Sequence, residues 1–167
     1  MMDRILMDRE NRYNTILELI EKYNLPVVCG KLNYPGIEKN TKHSELAFDV
    51  LLSLLNSEYR TFSIHSKMLK GFDGSSVIFV VDMEPKVAKE IAMSIENGHE
   101  LGRLFDIDIY TKGGESLGRE KLNLSSRKCL ICNEDARICM RLNRHDIEEI
   151  INAANTLIES FGEKNGN

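Results

Sequence analysis

The chain has 167 residues, 42% of them hydrophobic and 29% charged, with a formal net charge of -4. That is one domain's length with enough apolar matter for a core, and its mild acidity argues against a nucleic-acid partner, which calls for a basic surplus. No apolar run nears the roughly 20 residues that span a bilayer.

The opening stretch, MMDRILMDRENRY, is charged throughout and lacks a signal-peptide core. The expectation is a soluble, cytoplasmic protein with no membrane association. Its four cysteines then read as thiols or metal ligands, because disulfides are uncommon in that compartment.

A first helix is predicted over 3–22, where Ile5, Leu6, Tyr13, Ile16, Leu17 and Ile20 recur at helical spacing. Pro26 breaks it, Val27, Val28 and Leu32 read as a strand, and Tyr34-Pro35-Gly36 turns the chain. A second helix is predicted over 44–56, with Leu46, Ala47, Val50, Leu51, Leu54 and Leu55 as its buried stripe. A strand follows near 59–68, with Phe62 and Ile64 on one face. Asp73-Gly74 marks a hairpin, and the run 77–81 suits a central strand. Pro85 and Gly98 bracket a third helix carrying Val87, Ala88, Ile91, Ala92 and Ile95, and 104–110 reads as another strand.

The last helix is predicted over 144–161, with Ile147, Ile150, Ile151, Ala154, Leu157, Ile158 and Phe161 on one face and Asn143 and Asp146 in a capping arrangement. Residues 162–167 read as a disordered tail behind a single domain of 1–161. The order strand, helix, strand, strand, helix, strand over 26–110 predicts an α+β fold. Its core is a ferredoxin-like split βαβ sheet with flanking N- and C-terminal helices.

Gly102-Arg103-Leu104-Phe105-Asp106-Ile107-Asp108-Ile109 is the most informative stretch. Alternate residues of a strand share a face, so Asp106 and Asp108 project together, their Cα atoms roughly 6.5–7 Å apart. Two carboxylates so placed repel unless a cation neutralises them, and Mg2+ held by such a pair is a device of phosphoryl transfer. Arg103 is expected to add a fixed charge beside them. The plainer reading is a half-exposed strand with solvated aspartates.

A second constellation is Cys129, Cys132, Cys139 and His145, spaced C-x2-C-x6-C-x5-H. Three thiolates and an imidazole satisfy tetrahedral Zn2+. The competing reading packs Cys139 as a small hydrophobe among Ala136, Ile138 and Met140. A redox role for Cys129 and Cys132 is disfavoured, because the pair follows a polar loop over 123–126 instead of a strand leading into a helix. Among basic residues, Lys39 follows the turn that leads to the second helix, where a phosphate can sit. Arg9 and Arg12 lie one turn apart on the first helix; solvated surface positions are the default for all three.

The run LGRLFDIDIY, then Gly114 and Arg119, then RKCLICNEDARICMRLNRHDIEEI, resembles the citrate lyase holo-acyl-carrier-protein synthase family. The formal name of that family is apo-citrate lyase phosphoribosyl-dephospho-CoA transferase. The resemblance extends to residues 9–19 and the PGIEKN turn, so it covers most of the chain. It implies a nucleotidyl-type transfer. A serine of the lyase's acyl-carrier (gamma) subunit attacks 2'-(5-triphosphoribosyl)-3'-dephospho-CoA, a phosphodiester forms and pyrophosphate leaves.

The chemistry of the residues, not the resemblance, assigns Asp106 and Asp108 to Mg2+ with Arg103 assisting them. Lys39, Arg9, Arg12 and Gly102 are expected to meet the substrate, and the cysteine cluster stays open between Zn2+ and packing. A zinc-stabilised interaction module, or a nucleotidyltransferase on another substrate, are the alternatives.

Overall fold

The computed structural model describes residues 1–122 and 125–166; half of the polar loop expected at 123–126 therefore lies outside the described residues. The elements are α1 (Met2–Tyr23), β1 (Val27–Leu32), α2 (Lys42–Tyr59), β2 (Ser63–Gly71), β3 (Gly74–Val81), α3 (Pro85–Gly98), β4 (Phe105–Tyr110), α4 (Ala136–Arg141) and α5 (Ile147–Asn165). The four strands run in the order β2-β3-β1-β4, every neighbouring pair antiparallel. β3 lies between β1 and β2, and β1 between β3 and β4, which is the split βαβ arrangement that the element order predicts.

Local chemistry sets the helix ends. Thr41 and Ser44 form a reciprocal cap at the start of α2 (3.1 and 2.8 Å), satisfying donors that the first turn leaves unpaired. Pro85 opens α3, where a missing N–H costs nothing. The capping box of α5 is Asp146 with Glu149, so the helix begins at Ile147, three residues later than predicted. Asn143 serves the preceding turn at φ 44° instead. The same helix runs past Gly162, where a disordered tail is predicted, and continues to Asn165 before Gly166 closes it in the left-handed conformation.

The sheet buries both faces. Val28, Phe79 and Ile107 belong to the larger core with α2, α3 and α5. Val27, Cys29, Ile78 and Val80 on the opposite face pack against Ile16, Leu19 and Ile20 of α1. β3 is buried continuously from Val77 to Val81, as expected for an interior strand covered on both sides.

Several predicted core positions lie outside. Leu6 and Tyr13 face solvent because the buried stripe of α1 runs through Ile5, Arg12, Ile16 and Leu19. Phe62 and Ile64 are exposed as well. The chain from Tyr59 completes α2 and one 3-10 turn before β2 starts at Ser63, and β2 is one of the sheet's two outer strands. Tyr59 is instead a buried helix end whose hydroxyl donates to the Ala88 carbonyl at 2.7 Å.

Candidate active site

β4 alternates as the sequence implies: Phe105, Ile107 and Ile109 are buried while Asp106, Asp108 and Tyr110 face the α1 side. Lys31 of β1 lies opposite Asp106 in the β1–β4 register. Its ammonium donates to the Asp106 carboxylate and also reaches Asp108 Oδ2 at 3.3 Å. The repulsion within the acidic pair is thus offset by an internal cation. Burial works against the charge on Lys31, but the two carboxylates outweigh it and hold its pKa above the ordinary lysine value. Burial likewise opposes ionisation of Asp106, yet Lys31 and Arg127 prevail and hold its pKa below the usual carboxylate range.

Both aspartates open into a cleft of about 400 Å3 between α1 and this end of the sheet. Arg9, Arg12 and Lys39 line the same cleft, so five of the residues singled out from sequence come together there. Arg9 and Arg12 both donate to Asp73 in the β2–β3 turn, at 3.0 and 2.8 Å, which fastens α1 to the hairpin. The Lys39 ammonium donates to the Tyr34 carbonyl, and burial pulls its pKa down. Four cations, Arg9, Arg12, Lys31 and Lys39, face three carboxylates, Asp73, Asp106 and Asp108. Cys29 lies on the floor, its thiol pushed up to about 12 by burial, and it stays protonated.

Behind Asp106, Arg127 donates to Asp106 Oδ1 (2.8 Å), Glu96 Oε1 (2.9 Å) and the Phe105 carbonyl (2.9 Å). Glu96, a buried residue of α3, also takes Arg119 and accepts from the Ile107 N–H at 2.9 Å. Arg103 does not join the acidic pair. It belongs to a 3-10 turn ahead of β4 and lines a second, larger cavity of about 810 Å3. One of its nitrogens donates to Asn133 Oδ1 at 3.3 Å, and another is buried without a partner. Gly102 also borders that cavity, but its lack of a side chain has a packing reason: a Cβ there would stand 2.8 Å from the Glu96 carbonyl carbon.

Cys129, Cys132, Cys139 and His145 converge, their donor atoms all within 4.8 Å of one another. A tight turn returns the chain through Cys129 N–H to the Glu134 carbonyl (2.6 Å), with Asn133 at φ 60°. The Ile131 N–H points at Cys129 Sγ, 3.5 Å away. Asp135 caps α4, which delivers Cys139, and His145 arrives just before α5. Cys132 Sγ and Cys139 Sγ are 3.3 Å apart, against about 3.8 Å for two sulfurs on one tetrahedral zinc at its usual bond length. The His145 Nε2 is buried and lacks a hydrogen-bond partner. The Cys132 thiol is drawn down to about 6 by a Glu134 backbone contact and then by His145. Of Ala136, Ile138 and Met140, on which the packing alternative rests, Ile138 and Met140 are exposed and Ala136 is half-buried. This donor set suits a closed, structural Zn2+ site.

The family described as apo-citrate lyase phosphoribosyl-dephospho-CoA transferase matches residues 1–161. The chain belongs to that family. It is 30% identical over 155 residues to a Vibrio cholerae protein named as a probable apo-citrate lyase phosphoribosyl-dephospho-CoA transferase, covering 90% of this chain and 86% of that protein. An Escherichia coli O157:H7 protein named apo-citrate lyase phosphoribosyl-dephospho-CoA transferase is 25% identical over 166 residues, covering 98% and 91%. The protein CitXG of Leuconostoc mesenteroides subsp. cremoris is 28% identical over 162 residues, 95% of this chain. The chain spans 35% of that longer relative's length.

For this member of the transferase family, sequence reasoning missed Lys31, Glu96 and Lys89. Lys31 is the one charged residue of the apolar strand β1, and Glu96 and Lys89 lie on the buried stripe of α3. Glu96 and Lys89 are each 5% exposed, and Lys89 donates to the Ile107 carbonyl at 3.3 Å. A charge within an apolar strand or on a helix's buried stripe is the available signal, since such groups are rarely buried without a partner.

Proposed function

We propose that this chain transfers the 2'-(5-triphosphoribosyl)-3'-dephospho-CoA prosthetic group to a serine of the apo-citrate lyase acyl-carrier (gamma) subunit, releasing pyrophosphate. The observation that carries the reading is the family match over residues 1–161. The cleft supports it by joining a carboxylate pair to four basic side chains.

In this reading the serine oxygen attacks the α-phosphorus of the triphosphate. A new O–P bond forms, the bond to the bridging oxygen breaks, and pyrophosphate leaves with the electron pair while the hydroxyl proton passes to water. Positioning and electrostatics supply most of the acceleration in such chemistry. Arg9, Arg12 and Lys39 act as phosphate grips.

Asp106 Oδ2 and Asp108 Oδ2 converge on one cationic point and are each about a third exposed or less (27% and 31%). These oxygens suit Mg2+, a hard cation that takes one or two carboxylates together with phosphate and water. Bound there, Mg2+ supplies charge neutralisation for the phosphates. Lys31, which bonds both carboxylates, adds a fixed positive charge to the same cleft. Zn2+ on Cys129, Cys132, Cys139 and His145 has the structural role of a four-ligand site.

Among the described residues no helix is long and apolar enough to cross a membrane, and a citrate lyase partner carries with it a cytoplasmic setting. The test is incubation of the purified chain with apo-carrier and the triphosphoribosyl precursor, followed by intact mass. The carrier should gain the mass of the prosthetic group, and pyrophosphate should appear in equal amount. An unmodified carrier would sink the assignment.

A further inference from the structure

The 810 Å3 cavity beside the cysteine cluster is not absorbed by phosphoryl transfer at Asp106 and Asp108. Its volume lies within the roughly 300–1,000 Å3 of small-molecule sites. Its lining has two chemistries. Arg103, Arg119, Arg127, Lys128 and Arg137 supply five cations against two carboxylates, Glu96 and Asp146. Leu104, Leu130, Met140 and Ile150 supply an apolar wall. Arg119, Arg127 and Arg137 are paired with carboxylates. Among the described residues, Arg103 and Lys128 have no carboxylate partner, and one Arg103 nitrogen is buried with nothing to donate to. A guanidinium nitrogen left so is costly until an acceptor arrives, and phosphate oxygens match its geometry.

The geometry points to this cavity as the seat of the dephospho-CoA part of the substrate. The diphosphate rests on Arg103 and Lys128, and the pantetheine arm lies along the apolar wall. This assignment rests on the transfer reaction proposed above and divides its substrate between two sites. The triphosphate end occupies the smaller cleft, whose lining is dominated by charged and polar side chains. The two spaces adjoin: Asn33 lines both, and Arg127 borders the larger one while holding Asp106, which lines the smaller. A branched molecule with two separate phosphate groups can therefore reach both at once.

The probe is 3'-dephospho-CoA, which lacks the triphosphoribosyl branch, titrated calorimetrically into the full chain. The wild type should bind it. Arg103→Met and Lys128→Met should each weaken binding at least tenfold, and Arg103→Lys should recover part of the loss. Asp108→Asn, at the other cleft, should leave this affinity within twofold. No measurable binding by the wild type, wild-type affinity in the two methionine variants, or an equal loss in Asp108→Asn would overturn the proposal. The apo-carrier assay keeps the two readings apart. Normal transfer with an unchanged KM in Arg103→Met and Lys128→Met removes the subsite and leaves the reaction. Absent transfer with Arg103-dependent dephospho-CoA binding does the reverse.

Discussion

Lys31 stands directly across the β1–β4 ladder from Asp106, and the same ammonium reaches Asp108 at 3.3 Å. The acidic pair is therefore also an ion-pair hub, and its two members are unequal. Asp106 holds both Lys31 and Arg127, whereas Asp108 has the single long contact to Lys31.

That inequality predicts different costs for two similar substitutions. Asp106→Asn should lower unfolding free energy by about 1.5–3 kcal/mol, the usual worth of hydrogen bonds to charged groups, and should also abolish transfer. Asp108→Asn should abolish transfer at nearly unchanged stability. Urea melts alongside the carrier assay check this; an active Asp108→Asn enzyme would remove the carboxylate pair from the reaction.

The depressed pKa of Asp106 gives a signed pH dependence. A group with a lower pKa folded than unfolded adds stability that is complete above the unfolded value, about 4 for a carboxylate. That stability is lost as pH falls through the folded value. The stability gap between wild type and Asp106→Asn should therefore be constant near neutrality and shrink below about pH 4. Paired urea titrations across that range provide the measurement; a gap that widened in acid would contradict the ion-pair assignment.

Metal content tests the cysteine cluster. Elemental analysis should find about one zinc per chain. Its removal by a chelator should lower Tm by about 5 °C or more, since roughly 2 kcal/mol shifts a chain of this size by about 4–8 °C. Cys132→Ser should reproduce the loss. Because Cys129, Cys139 and His145 border the larger cavity, the metal-free protein should also bind 3'-dephospho-CoA more weakly. Metal-free protein of unchanged Tm would return the four residues to ordinary packing.

Gly102→Ala should destabilise through the close approach of its turn to α3. The added methyl meets the Glu96 backbone, which cannot swing aside as a side chain would, and overpacking of this kind costs about 1–3 kcal/mol. A thermal melt checks it, and an unchanged Tm would mean that the turn relaxes freely.

The fold was largely legible in the sequence because its cues are local: Pro26, Asp73-Gly74 and Pro85 punctuate segments whose apolar period is clear. The face shared by Asp106 and Asp108 was legible for the same reason. Lys31 was not, because its role depends on which residue of β4 it opposes, and register is settled by contacts between distant segments. Sequence proximity puts Arg103 with the acidic pair, but the 3-10 turn of Gly102–Leu104 directs it into the other cavity. The last helix outruns its predicted end because Gly162 and Asn165 lower helix preference without forbidding a helix already under way, and Glu163 and Lys164 between them favour it.

β4 is an outer strand of the sheet, and side chains take backbone groups on its open edge: Glu96 accepts from the Ile107 N–H, Lys89 donates to the Ile107 carbonyl and Arg127 to that of Phe105, while the Ile109 carbonyl accepts from the Leu117 N–H. An unguarded outer strand is a template on which any extended chain can grow. Here three charged residues from outside the sheet hold those positions, so a second copy attempting to extend the sheet would have to strip away ion pairs before gaining a single backbone bond. The charges that support the acidic cleft from behind thus also keep this side of the sheet from seeding aggregation.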